Sequence, residues 1–258
     1  MTPLISLITV TYNAGTTLER TLRSVEEQTY VQIEHLIIDG ASTDDTLAVA
    51  QTYKERIDDM YEVDIVSEPD HGLYDAMNKG LRRAHGKYVC FLNAGDRLHS
   101  PDTLECIAEA DASQPDSGVI YGDTDIVDDH GTFLHHRRLH PVGNMTWQSF
   151  RRGMLICHQS FYARRALCTA YNLQYRYSAD FDWCVRVMRT AAEQGMGITD
   201  SHRILTDYLD EGMTTRNHRA SLRERFGIMS RHYGLLSTVA CHVWFVIRGL
   251  LAKLQGRH

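Results

Sequence analysis

The sequence has little of several features that would assign it to a special class of protein. Its 258 residues include only five prolines, with no low-complexity segment and no internal repeat, which excludes repeat architectures. The six cysteines form no C-x-x-C pair and several lie in apolar runs, so we expect buried, reduced thiols. A net charge of −6 without an extended basic block before the C-terminal region argues against nucleic acid as a partner. The N-terminus lacks a basic region and a cleavage site, and it predicts a first strand rather than a signal peptide.

The first half alternates between strand-like and helix-like patterns. Apolar, β-branched runs predict strands, at 5–13, 33–40, 63–70, 87–96 and 118–128. Segments with helical spacing follow the first four of them, at 16–28, 41–56, 72–86 and 101–112. This alternation predicts an α/β fold, with a doubly wound, mostly parallel sheet and helices on both faces.

Polar side chains follow the first four predicted strands. They are Asn13, Asp39, Asp70 and Asp96, and in such sheets ligands bind beyond the carboxyl ends of the strands. A mouth lined by acids repels a diphosphate unless a divalent cation lies between them, and Mg²⁺ or Mn²⁺ needs only one or two carboxylates when phosphates complete its shell. Asp96, after the apolar run "KYVCFL", is the best candidate for that carboxylate, although it could instead cap a turn.

The second half is less regular. Residues 133–141 are basic and rich in histidine, 154–167 predict a strand followed by the start of a helix, and 197–210 predict a short strand and a loop. Residues 177–195 begin with two acids and continue as a helix. The basic 135–140 stretch is either a solvated hairpin or a site for an anionic acceptor diphosphate.

Four motifs in order carry a resemblance to a known family: "SLITVTYN", "IEHLIIDGASTDDT", "EPDHGLYDAMNKGLRRAHGKYVCFLNAGD" and "SADFDWCVR". Together they resemble the inverting family 2 glycosyltransferases with a GT-A fold, especially bacterial enzymes of exopolysaccharide, colanic-acid-type or O-antigen synthesis. The resemblance covers roughly residues 4–210. It implies that a sugar is transferred from a nucleotide donor, a UDP-sugar by expectation, to a saccharide acceptor, with Mg²⁺ or Mn²⁺ as cofactor.

The resemblance also implies roles for individual residues on the nucleotide side. Asp39 would hydrogen-bond the base and Asp96 would be the last acid of the metal motif. The rest of the nucleotide site would be formed by Thr11, Tyr12, Asn13, Asp70 and Lys79. The metal motif departs from the family pattern, since Asn93-Ala94-Gly95-Asp96 retains one carboxylate, to which Asn93 could add an amide oxygen.

The catalytic base and the sugar site follow from the same resemblance. Asp180 matches the family's catalytic acid and would deprotonate the acceptor hydroxyl. Because Ala179 stands where the family has a glutamate, Asp182 is a rival base. Residues that could contact sugar or acceptor, or serve only structure, are Asn93, Asp123, His158 and Gln159.

The C-terminal segment differs in character from the rest. We divide the chain into a GT-A domain at 1–215, with a nucleotide-binding half at 1–128 and an acceptor-binding half at 129–215, and a basic amphipathic helical segment at 216–258. The apolar stretch 234–254 is interrupted by His242, Arg248 and Lys253, so a helix lying in the membrane interface suits it better than a span. Packing on the domain or in an oligomer is the alternative.

These observations predict a cytoplasmic enzyme, peripheral on the inner face of the plasma membrane. Its acceptor would be a saccharide on a polyprenyl diphosphate, as expected from the family and from the amphipathic C-terminal segment. The rival is a non-catalytic nucleotide-sugar-binding or scaffold protein, motivated by the reduced metal motif. A dinucleotide-dependent oxidoreductase is disfavoured because no G-x-G-x-x-G follows the first strand.

Overall fold

The computed structural model describes residues 3–57, 59–210 and 218–254. Its strands are β1 (Ile5–Thr11), β2 (Ile33–Asp39), β3 (Glu62–Ser67), β4 (Tyr88–Phe91), β5 (Arg97–Leu98), β6 (Ser117–Val127), β7 (Phe133–His136), β8 (Phe161–Arg164) and β9 (Gly197–Leu209). Its helices are α1 (Leu18–Glu26), α2 (Thr46–Ile57), α3 (Leu73–Arg83), α4 (Thr103–Ser113), α5 (Ala179–Glu193), α6 (His218–Tyr233) and α7 (Leu235–Leu254).

The strands form one sheet in the order β3-β2-β1-β4-β8-β6-β9-β5, with β7 on β6. The β3-β2-β1-β4 half is parallel. Every residue of β1 and of β2 is buried, as in parallel strands covered on both faces. The other half is mixed: β8 runs antiparallel to both β4 and β6, whereas β9 runs parallel to β6. The carboxyl ends of the parallel strands therefore meet at one edge, as the sequence predicted.

Helices cover both faces of the sheet. One core contains apolar residues of α1, α2 and α4, and the other contains those of α3, α5 and α6. In α1 the buried Leu18, Leu22 and Val25 have helical spacing and face the sheet. The two cores confirm the doubly wound α/β arrangement.

Two segments of the second half differ from the expectation. Residues 197–210 predicted a short strand and a loop, but β9 is one strand of 13 residues. Its irregular pairing with β6 and the left-handed backbone of His202, with a φ of 54°, interrupt the alternation that sequence reading relies on. Residues 154–167 contain β8, flanked by short 3₁₀ turns instead of a helix start.

The helix α6 belongs to the same core as the sheet. Its Ile228 and Met229 are fully buried, and the carboxylate of Glu224 accepts hydrogen bonds from the backbone N–H groups of Arg176 and Tyr177 over 2.6 and 2.7 Å. The predicted division at 215/216 falls outside the described residues. No helix within the described ranges combines the length and hydropathy needed to cross a membrane.

Candidate active site

A cavity of about 760 Å³ opens at the carboxyl ends of β1 and β4. Among its lining residues are Thr11, Tyr12, Asp70, Tyr74, Asn93, Asp96, Arg137, His158, Gln159, Asp180, Tyr208 and Arg225. The cavity is thus bounded by both halves of the chain and by α6. Its volume suits a ligand of nucleotide-sugar size.

The Asn93–Asp96 turn carries the acid at the end of β4. The N–H of Asp96 donates to the carbonyl of Asn93 over 3.0 Å, and Gly95 adopts a φ of 102°, a conformation that favours glycine. Thr21 holds the turn to α1, since its hydroxyl donates to the Asp96 carbonyl over 2.7 Å and accepts from the Gly95 N–H over 2.9 Å.

The Asp96 carboxylate is buried and hydrogen-bonded. Its Oδ2 accepts from the side-chain amide of Gln159 over 2.8 Å, and its Oδ1 accepts from the backbone N–H of Leu209 over 3.0 Å. Burial raises the pKa of Asp96 to about 7, although both hydrogen bonds and the charge of Arg20 act to lower it. The carboxylate is therefore held in place, but the positive charge near it does not compensate for its burial.

The residues of this turn fit a divalent cation. The Oδ1 atom of Asn93 is buried and has no hydrogen-bond partner, and Asn93 and Asp96 line the same cavity. Amide and carboxylate oxygens are the ligands that Mg²⁺ and Mn²⁺ prefer.

A second group of metal-ligating side chains lies elsewhere on the sheet. Ligand atoms of His99, Asp125 and Asp207 lie within 4.8 Å of one another. The carboxylates of this group already have partners, because Arg97 forms an ion pair with Asp207 at 3.0 Å and Nδ1 of His136 lies 2.7 Å from Asp125. None of these three residues lines the cavity.

The two acids at the start of α5 have different environments. Asp180 lines the cavity, and its Oδ1 accepts a hydrogen bond from the hydroxyl of Tyr74 over 3.2 Å. Asp182 forms an ion pair with Arg186 at 2.7 Å, and its Oδ1 lies 2.8 Å from Nε2 of His232. These partners lower the pKa of Asp182 against the effect of its burial, and they hold it away from the cavity lining.

The predicted nucleotide residues divide into two sets. Thr11, Tyr12 and Asp70 line the cavity. Tyr12 is 65% exposed, so its ring is free to contact a ligand. The Oδ1 of Asp70 accepts from the N–H of Gly72 over 2.7 Å, which fixes the loop before α3.

Asn13, Asp39 and Lys79 lie outside the lining and hold loops together. Asp39 accepts hydrogen bonds from the Ser42 N–H over 2.9 Å and the Ser67 hydroxyl over 2.6 Å. Asn13 accepts through its Oδ1 from the N–H of Thr43 over 2.9 Å. Their hydrogen bonds connect the loops that follow β1, β2 and β3.

The Lys79 ammonium lies under the loop that carries Asp70. It donates to the carbonyl of Pro69 over 2.6 Å and pairs with Glu68 at 3.1 Å. The side chain thus supports the edge of the cavity without lining it.

The sugar-site candidates also occupy distinct places. His158 lines the cavity but stacks on Phe91, with 5.1 Å between ring centroids, and its Nε2 lies 2.6 Å from the Tyr171 hydroxyl. Burial lowers the pKa of His158 to about 4, so the ring is neutral at physiological pH. Gln159 binds Asp96, whereas Asp123 lies outside the lining.

Among the side chains of this site that sequence reasoning missed are Tyr74, Tyr208 and Arg225. Tyr74 belongs to the "GLYDAMNKG" segment, where helical spacing could have placed it on the sheet-facing side of α3. Arg137 belongs to the basic 135–140 stretch and does line the cavity, although the β7 strand beside it is exposed.

Comparisons with known sequences identify the family of the chain. The sequence-family model described as glycosyl transferase family 2 matches residues 6–179 of the chain. A PGL/p-HBAD biosynthesis glycosyltransferase of Mycobacterium tuberculosis is 34% identical over 197 residues, which are 74% of this chain and 72% of the relative. The putative teichuronic acid biosynthesis glycosyltransferase TuaG of Bacillus subtilis is 42% identical over 103 residues, 40% of each chain.

Solved structures share the fold. S. aureus TarS in complex with UDP-GlcNAc superposes with a TM-score of 0.70 at 17% identity, covering 87% of this chain, which spans only 65% of the TarS chain. Glucosyl-3-phosphoglycerate synthase from M. tuberculosis, in complex with Mn²⁺, UDP and glucosyl-3-phosphoglycerate, has a TM-score of 0.60 at 14% identity, covering 89% and 80%. The α/β, GT-A architecture is confirmed, and the chain belongs to glycosyl transferase family 2.

Proposed function

We propose that this protein transfers a sugar from a UDP-sugar to a hydroxyl group of a saccharide acceptor, with inversion at the anomeric carbon. The observation that carries the proposal is that Asp180 and the Asn93–Asp96 turn line one cavity. The carboxylate of Asp180 would be the base for the acceptor, and the oxygen atoms of the turn would bind the donor's cation.

Asp180 is the proposed general base. As the acceptor oxygen attacks the anomeric carbon, its proton passes to the Asp180 carboxylate and the bond to the nucleoside diphosphate breaks on the opposite face. Tyr74 holds this carboxylate through a 3.2 Å hydrogen bond. Asp182 is not favoured, because Arg186 and His232 occupy its carboxylate.

The donor is proposed to bind beside Thr11, Tyr12 and Asp70. TarS holds UDP-GlcNAc and glucosyl-3-phosphoglycerate synthase holds UDP with Mn²⁺, which supports a uridine nucleotide here, whereas a mannosyltransferase of the same fold from Pyrobaculum calidifontis holds GDP-Man with Mn²⁺. To bind the base, Asp39 would give up its hydrogen bonds with Ser42 and Ser67. Asn13 and Lys79 would fix the surrounding loops.

Asp96 and Asn93 are proposed to hold Mg²⁺ or Mn²⁺. When bound, such a cation neutralises charge on the leaving diphosphate. Gln159 then orients the Asp96 carboxylate through its amide. His158 and Gln159 line the cavity and would contact the sugar or the acceptor there. Asp123 does not line the cavity, so it would contact only a part of the acceptor that extends beyond it.

The names of the relatives support a role in cell-surface polysaccharide synthesis.

The exposed apolar face of helix α7 supports a lipid-linked acceptor, because such a face can lie on a membrane. Its inward residues Thr238, Cys241 and Phe245 pack toward the core. Its outward residues are apolar and at least 43% exposed: Leu235, Leu236, Val239, Val243, Trp244, Val246 and Ile247.

We propose that this outward face of α7 lies on an anionic membrane. From Leu235 to Ile247 the helix has no Asp, Glu, Lys or Arg, and Arg248 and Lys253 follow in the sequence. Apolar groups would enter the interface and Trp244 would lie at headgroup depth, and the positive charge of the sequence that follows favours an anionic lipid surface. The protein would then act as a cytoplasmic, peripheral enzyme on a polyprenyl-diphosphate-linked saccharide.

Sedimentation with phosphatidylglycerol vesicles tests the membrane proposal. Val243→Glu should abolish sedimentation, whereas Val142→Glu, at another exposed apolar position, should leave it intact. Equal sedimentation of both variants, or a dimer in solution that buries this face without lipid, would contradict the membrane assignment.

Calorimetric titration with UDP and GDP, each with and without Mn²⁺, tests the function itself. We expect UDP to bind only with metal, and Asp180→Asn to bind UDP normally while losing sugar transfer across a panel of UDP-sugars and acceptors. A parent that binds UDP while Asp180→Asn matches it in every transfer assay would favour the scaffold alternative.

A further inference from the structure

Two guanidinium groups line the same cavity as Asp180. They belong to Arg137, from the segment after β7, and Arg225, from α6. Arg137 binds backbone carbonyl groups, and Arg225 has a buried Nε without a hydrogen-bond partner. Buried or partly buried cations are costly unless an anion compensates them.

Arg225 lies beside the proposed base. Its guanidinium carbon is 5.4 Å from the ring centroid of Phe181, the residue after Asp180. Its Nε is buried and has no hydrogen-bond partner. Burial lowers the pKa of Arg225, the nearby charge of Asp180 raises it, and that of Arg137 lowers it, yet an arginine remains charged at any physiological pH.

Arg137 is held rigidly by neutral partners. Its Nη2 donates to the carbonyl of Met154 over 2.8 Å and its Nη1 to that of Leu155 over 3.3 Å, and it also contacts the Leu139 carbonyl. Carbonyl groups fix the orientation of the guanidinium but do not cancel its charge. The cavity therefore contains two cations that act on each other, since the charge of Arg137 lowers the pKa of Arg225.

Arg225 adjoins the segment of the proposed base in the cavity lining. The charges of Asp180 and Arg137 both act on Arg225. The donor diphosphate has its proposed place at Asp96. Arg225 therefore lies where the acceptor hydroxyl must meet its base, and Arg137 lines the same cavity.

We propose that Arg137 and Arg225 form an anion subsite for the acceptor, so that the accepting saccharide carries an oxyanion close to the hydroxyl that is glycosylated. This inference rests on the function proposed above. Guanidinium groups bind carboxylates and phosphates through paired N–H donors. This oxyanion has two possible sources in an acceptor: a phosphate of the lipid carrier or the carboxylate of an acidic sugar.

The subsite can be measured without knowing the acceptor. The protein is first saturated with UDP and Mg²⁺, and the binding of phenyl phosphate, methyl glucuronide and neutral methyl glucoside is then followed by ligand-detected NMR. Arg225→Gln is compared with Arg223→Gln, an exposed position on the same helix. Calorimetry with UDP measures the donor site of each variant separately.

The expected result is that one anionic probe binds the parent and methyl glucoside does not. Arg225→Gln should weaken that probe at least tenfold, with UDP affinity within twofold of the parent, and Arg223→Gln should change neither. Preference for phenyl phosphate identifies the lipid phosphate as the source, and preference for the glucuronide identifies an acidic sugar.

Two results would overturn the subsite. A tenfold loss of UDP affinity in Arg225→Gln would assign this arginine to the donor, and equal binding of all probes to parent and variant would leave no anion site. A parent that fails to bind UDP at all would contradict the proposed function instead, so the two failures are distinguishable.

Discussion

The hydroxyl of Tyr74 donates a hydrogen bond to Oδ1 of Asp180 over 3.2 Å, joining α3 to the first turn of α5. Tyr74 is nearly buried, with 7% exposure, and stacks on Tyr171 at 5.6 Å between ring centroids. Burial and the adjacent carboxylate hold the pKa of Tyr74 well above its ordinary value. The phenol therefore stays protonated and fixes the carboxylate in one orientation.

Tyr74→Phe should lower kcat about tenfold, because it removes one hydrogen bond to the base. The KM for the donor should stay within twofold, since the ring and its stacking remain. Steady-state kinetics on the panel that identifies the donor provides both values. An unchanged kcat would mean that Tyr74 does not position Asp180.

Asp182→Asn should affect stability more than catalysis. The change weakens an ion pair with Arg186 within α5 and a contact with His232 that joins α5 to α6, and losing one partner of a partly buried pair costs about 1–3 kcal/mol. Thermal unfolding should show a lower Tm, with kcat within a few-fold of the parent. If instead Asp182→Asn abolished transfer at an unchanged Tm, Asp182 would be the base.

Asp96→Ala should abolish metal-dependent UDP binding while the domain stays folded. The reason is the loss of the one carboxylate at the end of β4 that lines the cavity. Asp125→Asn, in the His99, Asp125 and Asp207 group, is the matched control and should bind UDP and Mn²⁺ normally. Calorimetry on both variants shows which group binds the metal. Loss of binding in Asp125→Asn but not in Asp96→Ala would assign the metal to the group of Asp125 instead.

Acid should destabilise the protein through His35. This ring is fully buried between Thr9 and Tyr53, and burial lowers its pKa from 6.5 to about 3. Below pH 6.5 the unfolded chain gains a proton that the folded one does not, so stability falls as the pH falls toward 3. The loss is about 1.4 kcal/mol per pH unit, or about 2 kcal/mol at pH 5.

Denaturant unfolding of His35→Gln tests this linkage. Between pH 7.5 and pH 5 the variant should lose about 2 kcal/mol less stability than the parent. The control, His202→Gln, removes an exposed histidine and should keep the slope of the parent. Equal slopes in all three proteins would contradict a neutral, buried His35.

The strand ends of the first half were predictable because each parallel strand is a short apolar run followed at once by its polar residue. Asp70 and Asp96 accordingly line the cavity. Asp39 follows the same pattern but is directed toward Ser42 and Ser67, since local hydrogen bonds decide where a side chain points. The long strand β9 was not predictable, because irregular pairing breaks its alternation.

The sequence alone determined the α/β alternation, the family motifs and the acids at the strand ends, because these depend on local periodicity and short spacing. Only the tertiary structure distinguished the environments of Asp180 and Asp182, through Tyr74 and His232. It alone brought Arg225 to the cavity, 45 residues after Asp180 in the chain. Side-chain direction and contacts between distant segments arise from packing, which no local pattern records.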